Sequence, residues 1–419
     1  SMAVKVLVLG DGIGGIVTAN LLLKKARKQH LPIDVKLVGN SPIHTYQPGM
    51  LFLPFQKSGY RTLEDLQKPT EGFIASGVQY VCERITAIDT EHRQVTTDRQ
   101  TLSYDWLVLA LGCRTIVEEV EGLLEQWGET VHGFYTPGSA LRLAKALEEF
   151  QGGDLVVDIA EMPIKCPVAP LEFACLADDY LTKRGIRDKT KLTLVTPLSG
   201  AFTKPVCNEV LTSTLEEKGI DVVPNASLDR VTDHAMYSPD GQEVPFDLMV
   251  CIPPHEGSDL IEEADLGNGL GFARADKQTL KSSVAERVFM VGDNADVPTS
   301  KAGSVAHFQA EAVVHNLLRE IGGMAAEPIA DGHANCFIET GHHKAVLIDF
   351  NYDVQPVPGK FPIPSLGPMS LLRQSYLNHL GKLAFKYIYW DVLLPALPIP
   401  LVGSRMSTRG KKMDFLSAH

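Results

Sequence analysis

The sequence has no Cys-x-x-Cys pair, no cysteine–histidine spacing of the kind a zinc site needs, and no uninterrupted apolar run of the ~18 residues that a membrane-spanning helix requires. The first two absences exclude a structural metal, and the third excludes a conventional spanning helix. Seven cysteines, an odd number, are scattered from Cys82 to Cys336, which does not resemble the disulfide framework of a small secreted domain. Ahead of Val4 there is no basic segment followed by an apolar stretch and a small-residue cleavage site, so no secretory signal is expected. Positive charge is also scarce: the formal net charge is −12, and an acidic body repels a phosphate backbone, so nucleic acid is excluded as a general partner.

What is present is a globular chain of 419 residues, 44% hydrophobic and 21% charged, long enough for two or three domains with their own cores. Residues 4–9 form a short apolar strand, and Gly10-Asp11-Gly12-Ile13-Gly14-Gly15 follows at once before a helical stretch to about Ala26. Gly10, Gly12, Gly14 and Gly15 in that context predict a tight turn that lets a pyrophosphate approach the backbone at a helix N-terminus, the pattern of a dinucleotide site. The second strand, 34–38, ends in Gly39-Asn40 where an acid usually bonds the adenosine ribose; Asn40 can take that contact as an amide. After the strand at 154–160, where a nicotinamide-using chain would carry a second glycine fingerprint, the sequence runs Glu161-Met162-Pro163-Ile164-Lys165-Cys166-Pro167, so a nicotinamide is not expected there.

Two further segments point to a flavin. Residues 104–112, ending in Ala110-Leu111-Gly112, resemble the strand and Ala-Thr-Gly-type turn of flavoproteins with two dinucleotide domains, and Val288 to Asp293 resemble their later Gly-Asp strand end, here Gly292-Asp293. Asp293 is placed to bond the ribitol, or alternatively to cap a helix or turn; the helix after Gly303 aims its N-terminus at the ring. Cys166 lies among Pro163, Pro167 and Pro170, which hold it in extended chain just before a helix, with Lys165 adjacent; both neighbours favour a thiolate. Glu172 falls in the first helical turn, within reach of a proton on that sulfur. The competing reading of every cysteine is a small core side chain, which is favoured for Cys175, Cys207 and Cys251. His44, His132, His307 and His342 have no metal-like spacing and are expected as surface or satisfied core histidines.

Taken together, Gly10 to Gly15, His44-Thr45-Tyr46-Gln47-Pro48-Gly49, Lys165-Cys166-Pro167-x-Ala169-Pro170, Thr299-Ser300-Lys301-Ala302-Gly303, Asn335-Cys336-Phe337 and His379 to Phe385 resemble the sulfide:quinone oxidoreductase family, with the flavoprotein subunit of flavocytochrome c sulfide dehydrogenase related to it. The resemblance spans almost the whole chain and implies FAD, contacted by Gln47 and Lys301 among others, as cofactor; the covalent thioether of some members has no obvious donor in this sequence, so non-covalent binding is expected. It implies Cys166 and Cys336 as a redox pair that oxidises sulfide to polysulfide or elemental sulfur, with Cys336 nearer the flavin and Glu172 as general base. It implies Phe337, Lys382 and Phe385 beside a quinone. Some members have a third cysteine where this chain has Tyr135-Thr136, so a three-cysteine relay is not expected.

From residue 371 onward Arg373, Lys382, Lys386, Arg405, Arg409, Lys411 and Lys412 outnumber Asp391 and Asp414, and Tyr387, Tyr389 and Trp390 cluster. That pattern suits an amphipathic helix in a membrane interface, its lysines toward anionic head groups; a helix docked on the body or a dimer contact is the alternative. The expected fold is α/β, two Rossmann-like dinucleotide-binding domains of the disulfide-reductase type plus that membrane-binding region. Residues 1–110 with 270–330 would bind FAD, 111–269 would form the second domain with Cys166, and 331–419 would carry Cys336 and the quinone site. The expected partners are sulfide, quinone and membrane lipid in a peripheral, monotopic association, with a homo-oligomer left open. The competing functions are a sulfide dehydrogenase feeding a cytochrome, an NADH:quinone reductase, and a flavin-binding sensor without turnover.

Overall fold

Strand Val4–Leu9 is the middle of a five-stranded parallel sheet, and Val6 to Leu9 are buried on both faces, as a continuous aliphatic run in such a sheet requires. Its neighbours are Ile33–Gly39 on one side and Trp106–Leu109 on the other, with Gln79–Cys82 and Val288–Met290 at the edges. Residues from both ends of the body thus build one sheet. The computed structural model that gives this architecture describes residues 2–418.

A second parallel sheet has the order Val131–His132, Leu248–Ile252, Gly153–Ile159, Thr190–Val195 and Asp221–Val223. The third is a mixed sheet of Ala334–Gly341, Lys344–Phe350, Gly359–Ile363 and Gly367–Leu371. The helix Tyr376–Ile388 lies against this last sheet, fixed by the buried Asn378 side chain, which donates to the carbonyls of Ala345, Ser370 and Arg373 at 2.8–3.1 Å. A single main core runs through all three sheets, because helices Ile13–Lys28 and Gly303–Ile321 cover the first, helix Ala169–Lys183 covers the second, and both groups meet the third.

The C-terminal segment departs from expectation in one respect. Tyr389 and Trp390 are buried, not displayed at a membrane face: Tyr389 Oη and His44 Nε2 are 2.5 Å apart, and Trp390 packs on Phe73 and His44. The cause is a π-helical turn at Tyr389–Leu393 directly after the α-helix, which rotates these residues inward relative to Tyr387, left 67% exposed. Among the described residues no helix is long and apolar enough to cross a membrane.

Candidate functional site

The three layers meet at a cleft of about 260 Å³ whose floor is the glycine turn. Gly10 has φ +107°, and a Cβ there would lie 1.9 Å from the Ala110 carbonyl oxygen; a Cβ on Gly15 would lie 1.7 Å from that of Gly10. Only glycine allows this approach of helix, turn and neighbouring strand. Helix Ile13–Lys28 begins at Gly12 and helix Gly303–Ile321 at Ala302, neither with a side-chain cap, and both starts line the cleft. Two sets of uncapped amides therefore face one space, with Gly14, Gln47, Ala110, Gly112, Gly292, Asp293 and Lys301 also in its wall. This donor set fits a dinucleotide with a pyrophosphate at the first helix and a ring that gains negative charge at the second.

Several contacts that build the cleft carry no sequence signal. Asn294 is fully buried and bonds Leu109 O, Val291 O and Leu111 N, tying two strand ends together, and Gln309 accepts from Gly292 N at 2.7 Å. Asn40 is exposed and outside the cleft wall. The carboxylate at the end of the second strand comes instead from Asp11 of the glycine turn, which accepts from Ser41 N at 2.8 Å and Tyr80 Oη at 2.6 Å. Lys301 points its ammonium at the carbonyls of Asp293 (2.8 Å) and Ala295 (3.1 Å), bracing the Gly-Asp turn.

Cys166 stands at the cleft end, in the left-handed region at φ +46°. That strain is held from outside: its N–H donates to Lys301 O at 2.8 Å, and the Tyr135 hydroxyl donates to the carbonyls of Lys165 and Cys166. Tyr135 thus occupies the neighbourhood of Cys166 where a third thiol had been considered. Cys166 also borders a second, apolar pocket of about 30 Å³ lined by Met50, Leu51, Phe134 and Tyr135. Cys336 lies on strand Ala334–Gly341, whose Asn335 carbonyl accepts from Ser304 Oγ at 2.9 Å. Both cysteine segments are thereby fastened to residues 301–304 at the start of one helix.

The helix Ala169–Lys183 begins with Pro170 in its first turn and carries Glu172 three residues further in than Ala169. Glu172 is buried, and its Oε2 accepts from Glu339 N at 2.8 Å and pairs with Lys382 Nζ at 3.1 Å. Lys382 Nζ also donates to Phe337 O at 3.2 Å, so one ammonium joins the Cys166 helix to the Cys336 strand. A head-group role for Lys382 is thus corrected: it faces inward, because the carboxylate it needs is inside. The remaining lysine of that helix, Lys386, lies over the Tyr60 ring. Phe385 lines the cleft, while Phe337 packs on the helix at Gly381, where a Cβ would come within 2.7 Å of the ring.

The electrostatics also correct the expectation of a thiolate. Burial pushes the Cys166 thiol up to about 11, the Asp293 carboxylate adding to this against Lys165 and Lys382. It pushes Cys336 up to about 12, with Cys166 itself the next contributor. Lys165 favours the anion as the sequence implied, but desolvation outweighs it. Burial raises Glu172 as well, with Lys382 pulling it part-way back; burial alone would lower Lys382, but Glu172 and Glu339 hold it above the usual lysine value. Burial raises the Cys113 thiol to about 12, with Asp293 and Cys166 adding to this against Lys165 and Lys301. His44, expected as an ordinary histidine, lines the cleft, and burial lowers it to about 4.

Residues 4–312 match the model of the family described as pyridine nucleotide-disulphide oxidoreductase. A Dictyostelium discoideum protein named sulfide:quinone oxidoreductase, mitochondrial, is 28% identical over 400 residues, covering 93% of this chain and 86% of its own. A sulfide-quinone reductase of Aquifex aeolicus is 26% identical over 416 residues, covering 93% and 91%. The X-ray structure of the sulfide:quinone oxidoreductase from Aquifex aeolicus has the same fold, with a TM-score of 0.77 at 22% identity over 95% of this chain and 93% of that one. The expected α/β architecture of two parallel-sheet domains is therefore found.

Replacing Lys382 with Met removes the counter-charge of Glu172 and raises that carboxyl further. A carboxyl raised in the folded state loses stability as pH climbs from its unfolded value to its folded one, by up to about 1.4 kcal/mol per pH unit. Thermal unfolding of K382M and wild type at pH 5 and pH 8 is expected to show a wider gap in Tm at pH 8. A gap that does not change with pH would mean that Glu172 is not held by Lys382.

Proposed function

The chain belongs to the pyridine nucleotide-disulphide oxidoreductase family, and on that premise we propose that it is an FAD-dependent sulfide:quinone oxidoreductase working through Cys166 and Cys336. The observation that carries this reading is the gathering of the two cysteine segments at the first turn of helix Gly303–Ile321, with Lys382 and Glu172 bridging them. The names of the relatives, sulfide:quinone oxidoreductase in Dictyostelium discoideum and sulfide-quinone reductase in Aquifex aeolicus, support the donor and acceptor. We read residues 1–110 with 270–330 as the FAD domain, 111–269 as the second domain, and 331–419 as the region that closes over the cleft.

In this reading hydrosulfide reaches Cys166 from the small apolar pocket, which has room for one such ion and meets the cofactor cleft at Gln47 and Cys166. Cys166 and Cys336 are free thiols in this structure; in the oxidised pair, hydrosulfide attacks the bridge between them, a sulfur–sulfur bond forms at Cys166, and Cys336 leaves as a thiolate. The raised thiol of Cys336 makes it a poor leaving group by itself, so the Lys382 ammonium beside it is needed to hold the anion. Glu172 takes the proton of the new persulfide. Closing the bridge again through the added sulfur releases two electrons and restores an oxidised pair one sulfur longer; repetition lengthens the chain until polysulfide or sulfur departs. Bound FAD supplies the two-electron acceptor between this pair and the quinone. The residues proposed to hold it are Gly10, Gly12, Gly14, Gly15, Gln47, Ala110, Gly112, Gly292, Asp293, Lys301 and Gly303. Phe385, Phe337 and Lys382 offer the quinone an aromatic wall and a proton donor. An NADH-driven reading is disfavoured because the turn after Gly153–Ile159 has no glycine to admit a second pyrophosphate.

The quinone is lipid-soluble, and peripheral membrane binding belongs to the same proposal. Tyr376, Leu377, Leu380 and Tyr387 are exposed on helix Tyr376–Ile388, and Leu366, Leu397 and Leu401 are exposed nearby in the chain, with Arg405 and Arg409 following. Anaerobic titration with sulfide is expected to bleach the flavin and a short-chain quinone to restore it, with neither C166S nor C336S bleaching. Bleaching by NADH and not by sulfide would overturn the donor. In flotation with anionic vesicles, L380E/Y387E is expected to lose most of the bound fraction while keeping its sulfide bleaching. Unchanged flotation would remove this face as the membrane contact.

A further inference from the structure

Oxidising hydrosulfide to the sulfane level releases two electrons and one proton, whereas reducing a quinone to the quinol takes up two of each. One proton per turnover must therefore enter from water, and the Lys382–Glu172 pair that would deliver it is buried. The Glu172 side of this pair touches a second buried acid, which the reaction as described does not use. Glu339 is completely inaccessible, its N–H bonds Glu172 Oε2, and its carboxylate Oε2 has no hydrogen-bond partner. Its other oxygen, Oε1, lies 2.6 Å from Nδ1 of His379. His379 is buried beneath the exposed His343, their rings 5.6 Å apart and edge-on, with the exposed Tyr376 beside it.

Resting on the function proposed above, we propose that Glu339 and His379 form the outer half of a proton-uptake relay running from the surface at His343 to the Lys382–Glu172 pair. The arrangement has the parts such a path needs. His379 can accept a proton at one ring nitrogen and release one from the other, and it sits one hydrogen bond from a carboxyl whose second oxygen has no hydrogen-bond partner. Lys382 is the charge that acts most strongly on Glu339, and it donates toward the quinone wall at Phe337. The groups facing the relay are Glu172 and Asp179 of helix Ala169–Lys183, Lys57, Lys382 and His343. Burial raises the Glu339 carboxyl to about 8, so near neutral pH it holds a proton ready to pass on. Burial lowers His379, helped by His343 and Lys57, so its ring is neutral and open to a proton from water. A structural purpose alone would be met by an apolar pair at less cost, because an unpartnered buried carboxyl oxygen is unfavourable.

The test separates the two half-reactions of the holoenzyme by anaerobic stopped flow. In E339Q, which keeps size and the contact to His379, and in H379A, sulfide should bleach the flavin as in wild type. Reoxidation by a short-chain quinone should slow by about 10²-fold. In wild type, reoxidation should decline above about pH 8 as Glu339 loses its proton, and E339Q should lack that decline. Free imidazole should restore H379A, which a packing role would not allow. Wild-type reoxidation rates and pH profiles in both variants would overturn the relay, as would a joint fall of both half-reactions that imidazole does not repair. A wild-type protein that sulfide does not bleach contradicts the function itself; normal bleaching with normal reoxidation in the variants contradicts the relay alone.

Discussion

The contact on which the arrangement depends is the buried ion pair between Lys382 and Glu172. It joins a helix near the end of the chain to a helix in its middle, and through Phe337 O it also holds the strand of Cys336. A buried ion pair contributes little net stability, since desolvating two charges offsets most of their attraction. Its value in the proposed reaction lies in position: the ammonium acts on both raised thiols and would supply the positive charge that a leaving thiolate needs, where Lys165 on its own does not overcome desolvation.

The cofactor cleft applies the same economy of charge with backbone groups. Two helices begin there without side-chain caps, at Gly12 and at Ala302, and the glycines remove every Cβ that would keep chain segments apart. Lys301 serves both ends of the site, since its ammonium braces the Gly292–Asp293 turn while its carbonyl receives the Cys166 N–H. The strain of Cys166 at φ +46° is thus tolerated because neighbours on two separate segments, Lys301 and Tyr135, determine it.

Features carried by contiguous residues were legible in the sequence. The glycine turn, the Gly-Asp strand end and Glu172 in a first helical turn all follow from local rules; the proline-flanked Cys166 stands just before its helix as expected, but in the left-handed region at φ +46° and not in extended chain, because contacts from remote segments set its backbone. Features made by distant segments were not. Asp11 supplies the carboxylate at the second strand end, but nothing in the spacing from Asp11 to Ser41 announces it. The thiols are raised because remote segments bury them, and the rotation of Tyr389 and Trp390 into the core depends on one π turn that the helical pattern does not reveal. Lys382 belongs to the same class: amphipathic spacing shows that it occupies a face, not that the face opposite holds Glu172.

The most direct test of the central claim, that Cys166 and Cys336 form the redox pair, is non-reducing peptide mapping of the oxidised yellow enzyme by mass spectrometry. The account predicts one cross-linked species joining the peptides that contain Cys166 and Cys336, through two or more sulfurs, that disappears when sulfide bleaches the flavin anaerobically. Recovery of both residues as free thiols in enzyme that still oxidises sulfide would contradict it.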